Sequence, residues 1–196
     1  MLQVQKIEGH TLCSNTYVLS YKGESSCFLV DIGDFGSVKK ELSEHMEVKG
    51  VFITHAHFDH IYGLNTLIER FPNCIIYISE NGRDSLFDDK RNFSFYHEKP
   101  LNFKGGNIHV VQEGENIEIF DSIKVECIYT PGHDKSCMTF RCGLYLFTGD
   151  SYIPGQKPVT KLKGGNREEY ERGLKRILSV IDPKMVICPG HGEMKI

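Results

Sequence analysis

The chain has 196 residues, 40% of them hydrophobic and 25% charged, which supplies one packed core and argues against disorder. Lys+Arg 23 against Asp+Glu 26 gives a formal net charge of −3, so nucleic acid and anionic membranes are disfavoured as partners. No apolar run approaches the roughly 20 residues of a bilayer span, and Met1 to Ser14 has no apolar signal core, so a cytoplasmic protein forming a single domain over residues 1–196 is expected.

Short β-prone runs at Thr16–Ser20 and Cys27–Asp31 flank a turn at Tyr21-Lys22-Gly23-Glu24. Val38, Leu42 and Met46 recur at helical spacing and predict a helix over Ser37–Glu47. Val51–Thr54 reads as a short buried strand that ends on a histidine cluster. Leu64, Leu67, Ile68 and Phe71 then predict a helix that stops before Pro72. Cys74–Ile78 is a strand, followed by a short helix from about Glu80. Phe93–Gly106 contains Phe93, Phe95, Tyr96 and Phe103 without a clean period and reads as an aromatic-rich loop.

Further strands are expected at Ile108–Gln112, Ile117–Phe120, Ile123–Thr130, Cys137–Arg141 and Leu144–Thr148. A helix starts near Arg167, with Asn166 as N-cap and Glu169 placed for a capping box. Its apolar face would be Tyr170, Leu174, Ile177, Leu178 and Ile181, and Met185–Cys188 is the last strand. Strands and helices thus interleave in two comparable halves, an α/β pattern. The seven cysteines are scattered and contain no C-x-x-C pair, so most are expected to be small buried hydrophobes.

Polar motifs sit just past the ends of apolar strands, where α/β folds assemble their sites. In His55-Ala56-His57-Phe58-Asp59-His60, four imidazole and carboxylate donors fall within six residues. These are donors that zinc and similar divalent cations accept. His55 and His57 share a face if the strand continues through them, and Asp59 and His60 lie in the turn before the next helix. One tetrahedral ion with an open position needs fewer donors than this, so the spacing suggests two ions. Thr130-Pro131-Gly132-His133, Phe147-Thr148-Gly149-Asp150 and Cys188-Pro189-Gly190-His191-Gly192 each add one donor after a glycine at a strand end.

In this order the motifs resemble the metallo-β-lactamase superfamily, and within it the glyoxalase II-like hydrolases, from Leu29-Val30-Asp31-Ile32-Gly33 to Gly192. The resemblance implies an αββα sandwich with a dinuclear site at one edge. It implies one metal on His55, His57 and His133, a second on Asp59, His60 and His191, and Asp150 bridging the two. Asp31 would support ligand orientation. The cofactors implied are two divalent ions, Zn2+ first, with Fe or Mn as alternatives. The pattern departs from the family at Ile61-Tyr62-Gly63 and at Asp134-Lys135-Ser136-Cys137, both in the pocket wall. The chain also ends five residues after His191, whereas glyoxalase II carries a helical extension that helps hold glutathione, so glutathione thioesters are disfavoured.

The function implied is a dinuclear-metal hydrolase in which a metal-bridging hydroxide attacks a small, anionic ester or thioester. Asp59 and Asp150 belong to its catalytic centre. Two dications less two carboxylates and one hydroxide leave roughly one positive charge, which favours anionic substrates. A mononuclear-iron persulfide dioxygenase is the alternative within the resemblance, and a nuclease or phosphodiesterase a more remote one. Tyr152 is a candidate oxyanion donor. Lys157, Lys161 and Lys163, in the Pro/Gly-rich stretch Ser151–Gly165, are candidates for steering an anionic substrate.

Overall fold

The computed structural model describes residues 1–10 and 13–196. Every strand expected from the sequence is present with ends moved by one or two residues, except the strand before the histidine run, which begins at Glu47. In chain order the elements are β1 (Leu2–Glu8), β2 (Asn15–Tyr21), β3 (Ser26–Val30), α1 (Phe35–Glu41), β4 (Glu47–Phe52), α2 (Phe58–Ile61), α3 (Leu64–Arg70), β5 (Ile75–Ile78) and α4 (Glu80–Leu86). A 3-10 turn at Ser94–Tyr96 precedes β6 (Asn107–Val110), β7 (Asn116–Phe120), β8 (Ile123–Tyr129), β9 (Met138–Cys142), β10 (Tyr145–Gly149), α5 (Arg167–Val180) and β11 (Val186–Pro189).

Two sheets carry the fold. The first has the order β1-β2-β3-β4-β5-β6, antiparallel from β1 to β3 and parallel from β3 to β6; the second has the order β11-β10-β9-β8-β7, with only the β10–β11 pair parallel. The period of two along each strand divides the apolar residues between two faces. Inward from the first sheet, Tyr17, Leu19, Phe28, Val30, Phe52 and Tyr77 meet Val125, Cys127, Met138, Phe140 and Phe147 of the second. Phe52 stacks on Tyr77 at 4.5 Å and meets Phe140 edge-on at 5.2 Å, which locks the sheets where β4 is about to deliver the histidine run. Outward, Leu29, Val51, Ile53 and Ile76 pack under Val38, Leu64, Leu67 and Leu86 of the helices, while α5 covers Leu146 and Ile187 through Ile177. The layers are helix, sheet, sheet, helix.

Three local expectations need correction. The first helix runs from Phe35 to Glu41 rather than Ser37 to Glu47. Asp34 caps it earlier by accepting from the amides of Gly36 and Ser37, and Leu42 turns extended with ψ 132°; Leu42 and Met46 still reach the same core from non-helical chain. At α5, Asn166 does accept from the amides of Glu168 and Glu169. Its own amide donates to the Gly132 carbonyl at 2.8 Å, so the capping box has no donor left for Glu169. The face α5 buries is Tyr170, Gly173 and Ile177, with Leu178 exposed. The small Gly173 lets the helix approach Pro131 and Thr130 of the loop that carries His133.

Among the described residues no helix is long and apolar enough to cross a membrane. Six of the seven cysteines are buried and Cys13 is exposed, with none of them in a disulfide. Burial pushes the Cys188 thiol up to about 12, so beside the histidines it is a packed neutral group.

Candidate metal centre

β4 ends at Phe52, so His55 and His57 lie beyond the strand, and His57 is the residue that precedes α2. The expected strand continuation is absent. α2 is a single helical turn that holds Asp59 and His60, which were expected in a turn. The segment is instead fixed by one side chain and one backbone carbonyl: Ala56 donates its amide to Ser136 Oγ at 3.0 Å, and Phe58 donates its amide to the Asn92 carbonyl at 2.8 Å. His133 follows β8, Asp150 follows β10 and His191 follows β11.

The fold brings all seven candidates together. His55, His57 and His133 form one group in which the potential donor atoms lie within 4.8 Å of one another; Asp59, His60 and His191 form a second; His55, His60 and Asp150 form a third between them. Asp59 Oδ2 is 3.3 Å from His60 Nε2 and 3.1 Å from His191 Nε2. Asp150 faces both groups: Oδ2 is 3.6 Å from His133 Nε2 and 3.6 Å from His191 Nε2, and Oδ1 is 3.6 Å from His60 Nε2. Gly190 makes this approach possible, because a Cβ there would lie 2.1 Å from Asp150 Oδ1 and 2.8 Å from His60 Cε1.

Hydrogen bonds around the rim set which ring nitrogen faces inward. His60 Nδ1 donates to Asp31 Oδ2 at 2.8 Å. Thr54 gives its hydroxyl proton to the same oxygen at 2.7 Å, so its oxygen is left to accept from His55 Nδ1 at 3.2 Å. His133 Nδ1 donates to the Val159 carbonyl at 2.7 Å and His191 Nδ1 to the Cys13 carbonyl at 3.1 Å. Four rings therefore turn Nε2 into the cluster. His57 is reversed, with Nδ1 3.0 Å from His133 Nε2 and Nε2 3.7 Å from Asp134 Oδ2.

Buried and unpartnered, His55 Nε2, His60 Nε2 and Asp150 Oδ1 point at one another across the centre. Such orphaned polar atoms are costly unless something satisfies them. A divalent cation is what this donor set fits: carboxylates and imidazole nitrogens oriented before it arrives, with the cation taking the place of any proton on the inward nitrogen.

The electrostatics follow the same geometry. Burial favours neutral His55, and the neighbouring His60, His57 and His133 push it further below its ordinary value. Burial also opposes charge on His60, but Asp59 and Asp31 outweigh it and hold the imidazole well above its usual range. Asp59 is held far below the ordinary carboxylate range: burial raises it, and His60 and His191 more than reverse that. Asp31 is raised by burial despite its bonds to His60 and Thr54. Asp134, whose burial is outweighed by His57 and Ser136, is pushed down to about 2.

The other sequence candidates separate. Lys157 lines a cleft of about 230 Å3 with His133, Asp150, Gln156, Val159 and His191. Lys163 lines a different groove of about 590 Å3 beside Arg91 and Asp134, and Lys161 lines neither. The Tyr152 ring packs against Leu146, Ile177 and Ile187, and its carbonyl accepts from Thr148 Oγ1 at 2.7 Å.

Sequence reasoning missed three supporting residues. Asn15 and Tyr17, at the start of β2, both bond the Pro189 carbonyl, and Asn15 also bonds the Gly192 carbonyl, which pins the His191 turn from the opposite sheet. Asp134 was noticed only as a departure from the family pattern. Its place directly after a candidate ligand is the signal that could have marked it as the carboxylate beside His57.

The chain belongs to the metallo-beta-lactamase superfamily, whose family model matches residues 12–191. Among curated proteins it is 26% identical over 166 residues to a hydroxyacylglutathione hydrolase of Salmonella paratyphi A. That match covers 84% of this chain but only 57% of the relative, so the chain spans little more than half the length of such relatives. Among solved structures, the BLEG-1 B3 metallo-beta-lactamase superposes with a TM-score of 0.89 at 21% identity, covering 98% of this chain and 93% of that one. TTHA1623 in a di-iron-bound form gives 0.81 at 22% identity, with 97% and 93% covered. ETHE1 from Myxococcus xanthus gives 0.76 at 21% identity, with 97% and 76% covered. At these identities the structural likeness establishes the fold, an α/β sandwich of the metallo-β-lactamase type.

Proposed function

We propose that the protein is a dinuclear metal-dependent hydrolase acting on a small anionic ester or thioester. The observation that carries this reading is the convergence of seven imidazole and carboxylate groups, with the buried His55 Nε2, His60 Nε2 and Asp150 Oδ1 left without hydrogen-bond partners at the centre. In it His55, His57 and His133 would hold one divalent ion, Asp59, His60 and His191 would hold the second, and Asp150, which faces both groups, would serve either. Two divalent ions held there would supply Lewis acidity and bring the pKa of a coordinated water down to about 7.

The chain's own residues prepare that chemistry. Asp31, Thr54 and the carbonyls of Val159 and Cys13 fix the tautomers of four histidines, so none of these four rings would have to reorient on metal binding. His55 and His60 are fully buried, and a site screened from bulk water strengthens every charge interaction within it. Lys157, in the cleft beside His133 and His191, draws an anionic group toward the centre. The name of the curated relatives supports hydrolysis of an acyl compound, and the di-iron form of one structural neighbour supports testing iron beside zinc.

Elemental analysis of fully loaded protein, coupled to a panel of thioesters, lactones and phosphodiesters, tests the reading. Close to two ions per chain and turnover of an anionic ester or thioester are expected, with Asp150→Asn losing the second ion and most activity. Saturation at one iron, with oxygen uptake on a persulfide, would replace this reading by the dioxygenase alternative.

A further inference from the structure

Among the described residues, the non-glycine residues with left-handed backbone are Cys13, Asp31, Phe93 and Ser122. Such conformations are sparsely populated and persist where the surroundings impose them, often at functional sites. Three of these four touch the histidine centre. Cys13 and Asp31 have an evident reason, since each supplies the oxygen that orients a ring, His191 and His60. Phe93 supplies no polar atom. Its ring meets His57 edge-on at 4.8 Å, and a bulky aromatic at φ 63° is an unfavourable way to fill space.

The segment is built to hold it there. Asn92 is fully buried and is hydrogen-bonded through its side-chain nitrogen, its side-chain oxygen and its backbone carbonyl. Its Nδ2 donates to the Ser85 carbonyl at 2.9 Å, its Oδ1 accepts from the Ser94 amide at 2.9 Å, and its carbonyl accepts from the Phe58 amide at 2.8 Å. The last bond ties the segment to the residue that follows His57. Phe58 in turn stacks on His97 at 3.9 Å, closing the far end. Beyond Phe93 the apolar surface continues outward: Tyr96 lies 6.3 Å away and is 73% exposed, with Phe95 against it. On the His133 and His191 side the centre presents Lys157 instead.

We infer that Phe93, extended by Tyr96, is an apolar binding wall that selects substrates with an aliphatic or aromatic group on one side of the scissile bond and an anionic group on the other. This deepens the hydrolase reading and rests on it. Phe93 is a specificity-determining residue, and its strain is the cost of aiming a ring at the reacting position.

The test uses metal-loaded protein and thioesters of 3-mercaptopropionate carrying acetyl, butanoyl, hexanoyl or phenylacetyl groups. Each buried methylene is worth roughly a threefold to fourfold gain, so kcat/KM should rise at least about tenfold from acetyl to hexanoyl. Phe93→Gly removes the ring and relieves the backbone, because glycine adopts positive φ freely. The hexanoyl-to-acetyl ratio should then collapse to within about threefold while the melting temperature stays within a few degrees. Phe93→Leu should restore the ratio. A melting temperature that drops in Phe93→Gly with the ratio intact would make Phe93 a packing residue and overturn the inference.

A wild-type protein that turns over the acetyl thioester with no chain-length preference overturns the inference and leaves the hydrolase reading standing. Failure to turn over any of these thioesters or the matching oxygen esters overturns the reading itself. The wall is then judged by thermal stabilisation with hexanoate against acetate: a larger shift with hexanoate, lost in Phe93→Gly, supports it, and equal shifts refute it.

Discussion

Asp31→Asn removes one charge and one acceptor from a residue that is 2% exposed, and the cost can be worked out from its bonds. Asp31 accepts from the Thr54 amide at 2.7 Å through Oδ1, and from Thr54 Oγ1 at 2.7 Å and His60 Nδ1 at 2.8 Å through Oδ2. Asparagine tolerates the φ of 57°, so the backbone gives no reason for loss. An asparagine oxygen in the Oδ2 position keeps two of the bonds but aims its NH2 at the Thr54 amide. The opposite rotamer is worse, since its NH2 then meets two donors. The better arrangement leaves one buried amide unsatisfied, about 1–3 kcal/mol, and weakens a charge-assisted bond to His60 by about 1 kcal/mol. The metal-free variant should therefore be about 2–4 kcal/mol less stable in urea, or roughly 4–16 °C in melting temperature for a chain of this size. A His60 ring no longer held by a carboxylate should also bind metal about 10–100-fold more weakly. Metal-free stability within 0.5 kcal/mol of wild type together with unchanged metal affinity would refute the role given to Asp31.

Lys157→Ala should lower kcat/KM for an anionic thioester about threefold to tenfold at low ionic strength and far less at about 0.5 M salt. Lys161→Ala, outside the cleft, is the control, and equal effects from both would remove the steering argument. Gly190→Ala should fold around a displaced Asp150 or not at all, because its Cβ has 2.1 Å to Asp150 Oδ1; metal stoichiometry at or below one ion per chain is the expected reading. Asp34→Ala should cost about 1 kcal/mol through the lost cap of α1. Burial raises the Asp34 carboxyl, but bonds from Ser37, His10 and Gly36 outweigh it and hold it below the ordinary value. That stabilisation is complete above the unfolded pKa and fades as pH falls through the folded one. Urea midpoints of wild type and variant should accordingly converge at low pH, and a constant gap would contradict the assignment.

The strand-end motifs were legible because each donor follows an apolar run whose burial fixes where it ends. β1 was not. Leu2 and Val4 alternate with Gln3 and Gln5, but the pattern then places Lys6 where an apolar residue belongs. The structure shows why that is tolerated: the Lys6 stem runs along the sheet and its Nζ reaches the Gly192 carbonyl at 3.1 Å and Glu193 at 3.0 Å. α1 misled in the opposite sense, since the spacing of Val38, Leu42 and Met46 satisfies a helix that Asp34 starts early and Leu42 ends. α2 was invisible because one turn has no period to read. The lysine stretch shows the limit of composition: Lys157, Lys161 and Lys163 look equivalent in sequence, and only chain geometry sends one of them to the centre. Asp134 faces His57 and Asn15 bonds the Pro189 and Gly192 carbonyls across segments far apart in the chain, which no local pattern encodes.

The seven donors are carried unequally, and this has a consequence for how the centre tolerates error. Four ride on one segment of six residues behind β4, while His133, Asp150 and His191 each hang from a separate strand of the other sheet. A disturbance under β4, at Val51 or Ile53, moves four donors as one rigid body and can preserve their mutual spacing. A disturbance under β8, β10 or β11 displaces a single donor against all the others. Drift in the first sheet is thus a shared offset that the second can follow, whereas drift in the second is uncorrelated noise. Variation that retunes this centre one position at a time has its entry points in the second sheet.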